Sequence, residues 1–279
     1  MKERILSTAV LWAILAVALL HFGDRGCQIL LIMASALTQY EFYKLLQLAG
    51  YEPFVTSGVA CGIGMQGQYL FEQYFCPLAP GESLTLAATA IACCLFAKRS
   101  TEILRESLLP TLLGIAYVPF MFAFSITFVN DMGTFNISPN ISLHTLFWLV
   151  AVAKFSDVGG MIFGFAFGKR KLAPDLSPNK TLEGLGGGVI TSTAVGVITF
   201  LIFRHSLISL FTLPHVILLS GILSIIAALG DLVESAIKRL AGVKDSGKLV
   251  PGIGGIFDLT DSLILALPIG ILYIKYAIL

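Results

Sequence analysis

Long apolar runs separated by short polar segments dominate the chain. Nine of them reach or approach the roughly 20 residues that cross a bilayer as a helix. They cover about 5–22, 27–47, 54–74, 83–97, 107–129, 141–167, 184–204, 207–237 and 260–279. The fourth is short, and the third carries Gln66, Gln68 and Glu72. The pattern predicts an all-α integral membrane protein, a polytopic helical bundle of about nine transmembrane helices. No heptads, tandem repeats or low-complexity tracts interrupt it. The 130–140 segment, with Asn130, Asp131, Gly133, Asn136, Pro139 and Asn140, is turn chemistry.

Composition narrows the class further. With 56% hydrophobic residues and a mean hydropathy of +0.87, the chain cannot cover a soluble globule with a polar surface. A net charge of +1 without a basic tract gives no reason to expect a nucleic-acid partner. The five cysteines (Cys27, Cys61, Cys76, Cys93, Cys94) lie in or beside apolar runs without metal-ligand spacing, and read as buried thiols. The first run follows the basic Met1–Arg4 and lacks a small-x-small cleavage site, so a retained helix is expected. Lys2, Arg4, Lys44 and the cations of 98–105, 169–180 and 238–248 fall in alternate loops, leaving Arg25, Arg204 and Lys275 for the other side. The positive-inside rule then predicts a cytoplasmic N terminus, an external C terminus, and loops 168–183 and 238–259 on one cytoplasmic face.

Charge is scarce, at 13% of residues against about 25% in an ordinary soluble domain. Its concentration between Asp231 and Asp261 therefore signals a polar ligand. Asp231, Glu234, Ser235 and Lys238 occupy i, i+3, i+4 and i+7, one stripe at a helix end. Lys238-Arg239 and Lys244-Asp245 follow, then Pro251-Gly252-Ile253-Gly254-Gly255, then Asp258 and Asp261 at i and i+3. Close carboxylates suit a divalent cation, flanking Lys and Arg suit phosphate, and glycines permit close backbone approach. The plainer alternatives are a salt-bridged helix end and a Gly/Pro hinge. A second polar segment runs from Lys154 and Asp157 through Lys169-Arg170-Lys171 to Ser177-Pro178-Asn179-Lys180-Thr181-Leu182-Glu183-Gly184. There Lys180 and Thr181 offer a cation and a hydroxyl to phosphate, and Glu183 can orient one of them. Asp157, three residues after Lys154, reads equally as an intramembrane ion-pair partner or a functional group. Glu41-Phe42-Tyr43-Lys44 closes the second run and reads as an interfacial anchor of aromatic and snorkelling residues. The four histidines form no ligand pair.

The spacing from Ser235 to Asp261 closely resembles the signature of phosphatidate cytidylyltransferases (CDP-diacylglycerol synthases): Ser-x-x-Lys-Arg, Lys-Asp, Pro-Gly-His-Gly-Gly and Asp-Arg-x-Asp. Every spacing is kept, with Ile253 in place of His and Leu259 in place of Arg. Ser156-Asp157-Val158-Gly159-Gly160 and the Ser177–Gly184 block are similar to two further stretches of that family, as is Glu41–Lys44. The resemblance is dense from about 156 to 261 and thin before it.

It implies an enzyme of the cytoplasmic (inner) membrane that joins CTP and phosphatidate into CDP-diacylglycerol and pyrophosphate, with membrane lipid as its surroundings and a divalent cation such as Mg2+. Lys244, Asp245, Asp258 and Asp261 would be catalytic, with Asp245, Asp258 and Asp261 holding metal. Lys180, Thr181, Ser235, Lys238, Arg239, Gly254 and Gly255 would bind phosphate, supported by Asp157, Glu183, Asp231 and Glu234. Residues 1–140 would form a scaffold and lipid-access region and 141–279 would carry the catalytic loops. A homodimer stays open. So do two other readings of the same charge layout: a CTP-dependent enzyme acting on another lipid phosphate or lipid alcohol, and a transporter.

Overall fold

The computed structural model describes residues 17, 23–71, 78, 82–84, 86, 104–131, 139–247, 249 and 254–278. Nearly all of the runs expected at 5–22 and 83–97 lie outside these residues. The described elements are α1 (Gly23–Leu48), α2 (Val55–Gly67), α3 (Leu109–Tyr117), α4 (Pro119–Asp131), α5 (Pro139–Phe167), strands β1 (Lys171–Ala173) and β2 (Ser177–Thr181), α6 (Leu182–Ile202), α7 (Arg204–Leu207), α8 (Leu213–Leu240) and α9 (Phe257–Tyr273).

Among the described residues, five stretches are long and apolar enough to cross a membrane: Arg105–Asn130, Asn140–Phe167, Leu182–Ile202, Leu213–Leu240 and Phe257–Ile278. They correspond to the last five expected runs. The first of them is broken between α3 and α4, where Pro119 cannot donate to the helical ladder. The run expected from 207 becomes the short α7, a turn and then α8, which begins at Leu213 with Pro214 in its first turn. The run expected at 54–74 yields α2 of 13 residues, about 20 Å long and short of the ~30 Å hydrocarbon core, followed by a tighter turn at Gln68–Phe71. Helix α1 has the length to span but carries a buried polar stripe of Gln28, Ser35, Thr38, Gln39 and Glu41.

The segment read as a loop before α6 is an antiparallel hairpin, with Lys171 opposite Thr181 and Ala173 opposite Ser177. Pro178 is tolerated because a two-stranded ribbon leaves each strand an open edge. Periodicity was too short there to reveal strands.

The chain forms two compact units, one of residues 1–130 with 237–260, the other of 131–236 with 261–279. In the first, side-chain hydrogen bonds join the helices. Gln39 donates to Tyr43 Oη (3.0 Å) and the Gly58 carbonyl (2.9 Å), Tyr43 donates to the Thr111 carbonyl (2.8 Å), and Gln66 donates to Ser35 Oγ (2.9 Å) and the Pro119 carbonyl (2.8 Å). Phe257 packs edge-on against Phe42 and Tyr117, with ring centres 5.9 and 6.3 Å away. Where lipid tails are as apolar as leucine, such polar contacts and close packing hold helices together.

In the second unit, Trp148 is fully buried, donates to the Gly196 carbonyl (2.8 Å) and lies 5.1 Å from the Phe211 ring. Ser192 donates to the Val152 carbonyl (2.8 Å), and Ser156 meets Ser224 at 2.7 Å. Glycines on α5 face glycines on α6. A methyl built on Gly184 would sit 2.8 Å from the Gly160 carbonyl oxygen, so these backbones are in contact.

Candidate active site

Helices α8 and α9 touch at Gly230, where a methyl would lie 2.6 Å from the Asp261 carbonyl oxygen. Only a residue without a side chain allows that approach. It brings Asp261 to Asp231 and Glu234, which share one face of α8 by their i, i+3 spacing. One oxygen from each of these three acids lies within 4.8 Å of the others. Glu234 and Asp261 are buried and Asp231 is half-buried.

Two lysines meet this group. Lys180 on β2 reaches Asp231 at 2.6 Å. Lys154 on α5 lies 3.3 Å from Asp261 and 3.5 Å from Asp157, and donates to Ser262 Oγ at 2.7 Å. Ser262 donates in turn to Asp157 (3.2 Å). Four carboxylates, Asp157, Asp231, Glu234 and Asp261, thus gather about Lys154 and Lys180 in a largely apolar bundle. An all-oxygen donor set of three converging carboxylates fits a hard divalent cation. Among the described residues this is the group of three or more acids able to hold one. Of the expected ligands Asp245, Asp258 and Asp261, only Asp261 belongs to it; Asp231 and Glu234, expected as support, complete it.

The hairpin root is organised by its own side chains. Thr181 caps α6 by accepting from the Gly184 amide (3.0 Å). Glu183 accepts from the amides of Lys169 (3.0 Å) and Arg170 (3.1 Å). It therefore pins the hairpin base, rather than orienting Lys180 or Thr181.

In the other unit, Asp258 sits in the first turn of α9, where a carboxylate complements the helix dipole. It accepts from Lys238 Nζ (2.9 Å) and from the amides of Ser246 (3.1 Å) and Gly255 (2.8 Å). These bonds start α9 at Phe257, three residues before the expected position. Gly254 has φ +130°, a conformation that a side chain disfavours. Lys244, Asp245 and Arg239 are exposed, while Ser235 and Leu259 are half-buried. Lys248 and 250–253, including Ile253, lie outside the described residues.

Sequence reasoning misread Glu41. Tyr40 and Lys44 are exposed, with the ammonium 5.1 Å from the ring centre, as an interfacial anchor requires. Glu41, Phe42 and Tyr43 instead turn inward and are at most 4% exposed. Glu41 accepts from Ser246 Oγ (3.0 Å) and the Phe257 amide (2.8 Å). A carboxylate placed within an apolar run was the available signal.

Comparison with known proteins agrees with this chemistry. A protein of Staphylococcus haemolyticus named phosphatidate cytidylyltransferase is 40% identical over 158 residues, 57% of this chain and 55% of that one. The Escherichia coli protein YnbB, described as uncharacterized, is 47% identical over 130 residues, 46% of this chain and 42% of its own. The chain thus spans about half the length of these relatives. A phosphatidate cytidylyltransferase of Haemophilus influenzae is 31% identical over 286 residues, 96% of either chain. The model of the cytidylyltransferase family matches residues 2–277, and with nearly its whole length matched the chain belongs to that family.

Proposed function

We propose that this protein transfers the cytidylyl group of CTP to phosphatidate, giving CDP-diacylglycerol and pyrophosphate. A phosphatidate oxygen bonds to the α-phosphorus of CTP, and the bond from that phosphorus to the oxygen bridging to the β-phosphate breaks. The nucleophile is already anionic, so no protein nucleophile or general base is required. The difficulty is bringing two anions together, and catalysis then rests on positioning and charge neutralisation. One observation carries the reading: Asp231, Glu234 and Asp261 each bring a carboxylate oxygen within 4.8 Å of the others, with Lys180 and Lys154 beside them.

Those three acids would hold a magnesium ion, which supplies Lewis-acid polarisation of phosphate oxygens and charge compensation. Lys154 and Ser262 keep Asp261 in place. Lys180 steadies Asp231 and is the cation nearest to the acids on the hairpin side. Asp258 holds the Gly255 amide at the end of the glycine turn. In the other unit, the exposed Lys244 and Arg239 offer charge that suits phosphate, and the exposed Asp245 a carboxylate that suits a cation. The distribution of Lys and Arg supports a cytoplasmic N terminus in a bacterial inner membrane.

The test is purified protein in detergent with α-labelled CTP, magnesium and phosphatidate, scored for a labelled CDP-lipid. Product with a lipid alcohol or another lipid phosphate, and none with phosphatidate, would replace the proposed substrate. No labelled lipid under any of these conditions would overturn the reading.

A further inference from the structure

We propose that Glu41 is a positioning residue that fixes Ser246, Gly247, Gly255 and the start of α9 for the transfer reaction, an inference that rests on the proposed reaction. Its carboxylate comes from α1, more than two hundred positions before the groups it holds. One oxygen, Oε2, accepts from both Ser246 Oγ (3.0 Å) and the Phe257 amide (2.8 Å). The other, Oε1, is buried and takes no hydrogen bond among the described residues. Oε1 lies against Gly247, where a methyl would come within 2.6 Å of it, and a methyl on Gly255 would overlap the carboxylate as well. The two loop glycines are therefore moulded around Glu41.

Ser246 links this contact to Asp258. Its hydroxyl goes to Glu41, while its amide goes to Asp258 Oδ2 at 3.1 Å, the same oxygen that accepts from the Gly255 amide at 2.8 Å. Two carboxylates thus clamp one short loop through Ser246, Gly255 and Phe257. Asp258 belongs to that loop and moves with it. Glu41 belongs to a helix that Tyr43 and Gln39 hydrogen-bond to α2 and α3. Glu41 is thereby the group that refers the loop to the helical scaffold. A buried carboxylate in an apolar unit is expensive to retain, and its hydrogen-bond donors all lie in the loop that carries the family's signature.

The experiment compares E41A, E41Q and S246A with the natural protein. Gln retains a carbonyl oxygen able to accept both donors, and Ala retains none. E41A should lose about 100-fold in kcat, the scale of an ångström-level misplacement, with KM for CTP changed less than ~3-fold, because Glu41 is buried and spends its carboxylate on Ser246 and Phe257. E41Q should recover most of the lost rate, and S246A should fall between them. Hydrogen exchange followed by mass spectrometry gives a readout independent of turnover: amide 257, which loses its acceptor in E41A, should exchange at least ~10-fold faster, and amides 246 and 255, bonded to Asp258, should also speed up as the loop loosens, with α5 and α6 unchanged. Natural-like kcat in E41A, equal loss in E41A and E41Q, or unchanged exchange in the loop would each overturn the proposal. If the natural protein is inert with CTP and phosphatidate, the reaction is misassigned, and the exchange result alone decides whether Glu41 holds the loop.

Discussion

Replacing Lys154 with Met tests the charge balance of the acidic cluster most directly. Lys154 is the ammonium shared by Asp157 and Asp261, at 3.5 and 3.3 Å, and its side chain is 19% exposed. Met preserves much of the volume and removes the charge. The cluster then carries one more unit of negative charge than in the natural protein, and Ser262 loses its donor. Removing one partner of a buried ion pair costs about 3–5 kcal/mol, because the other charge stays behind. At roughly 2–4 °C per kcal/mol for a chain of this size, the melting temperature without divalent cation should fall by about 10 °C.

A bound cation compensates the deficit, so the same variant should bind Mg2+ at least tenfold more tightly, equivalent to ~1.4 kcal/mol. Saturating Mg2+ should then return most of the lost stability, since a ligand of the native state stabilises in proportion to its affinity. The assay is thermal unfolding in detergent followed by tryptophan fluorescence, with the fully buried Trp148 reporting on this unit, at zero and increasing magnesium. A melting temperature within ~2 °C of the natural protein's would refute the coupling, as would a magnesium-dependent gain no larger than the natural one; the threshold is well below the expected shift.

Three further outcomes are expected. Asp231→Asn, Glu234→Gln and Asp261→Asn should each lower CDP-lipid formation by about 100-fold or more while folded protein is still recovered; near-normal rates in all three would end the assignment of these acids to a cation. Restoring the family residues, Ile253→His with Leu259→Arg, should change rate or nucleotide affinity only modestly, because carboxylates and lysines supply the larger electrostatic contribution; activity seen solely in the double variant would mark the natural chain as a re-purposed relative. A cysteine at the exposed hairpin turn, Asp175→Cys in a background without native cysteines, should react with an impermeant thiol reagent solely from the cytoplasmic side, and labelling from outside would reverse the proposed orientation.

Amino-acid order alone determined the features that depend on near neighbours. The five apolar spans among the described residues follow from hydropathy, because each helix satisfies its own backbone and needs only ~20 apolar residues to cross. The stripe of Asp231 and Glu234 follows from 3.6-residue periodicity, and the need for glycine in the turn before Asp258 from the motif itself. The partners of those groups were beyond such reasoning. Lys180 meets Asp231 across 51 positions, Lys154 meets Asp261 across 107, and Glu41 meets Ser246 across 205. Periodicity says which face a residue occupies, and not which helix will lie against it. Contact between α8 and α9 at Gly230 decides that Asp231, Glu234 and Asp261 form the candidate cation site, and the inward turn of α1 decides that Glu41 serves the loop. Such pairings are set by side-chain packing and hydrogen bonding between helices, quantities that exist only once the helices are assembled.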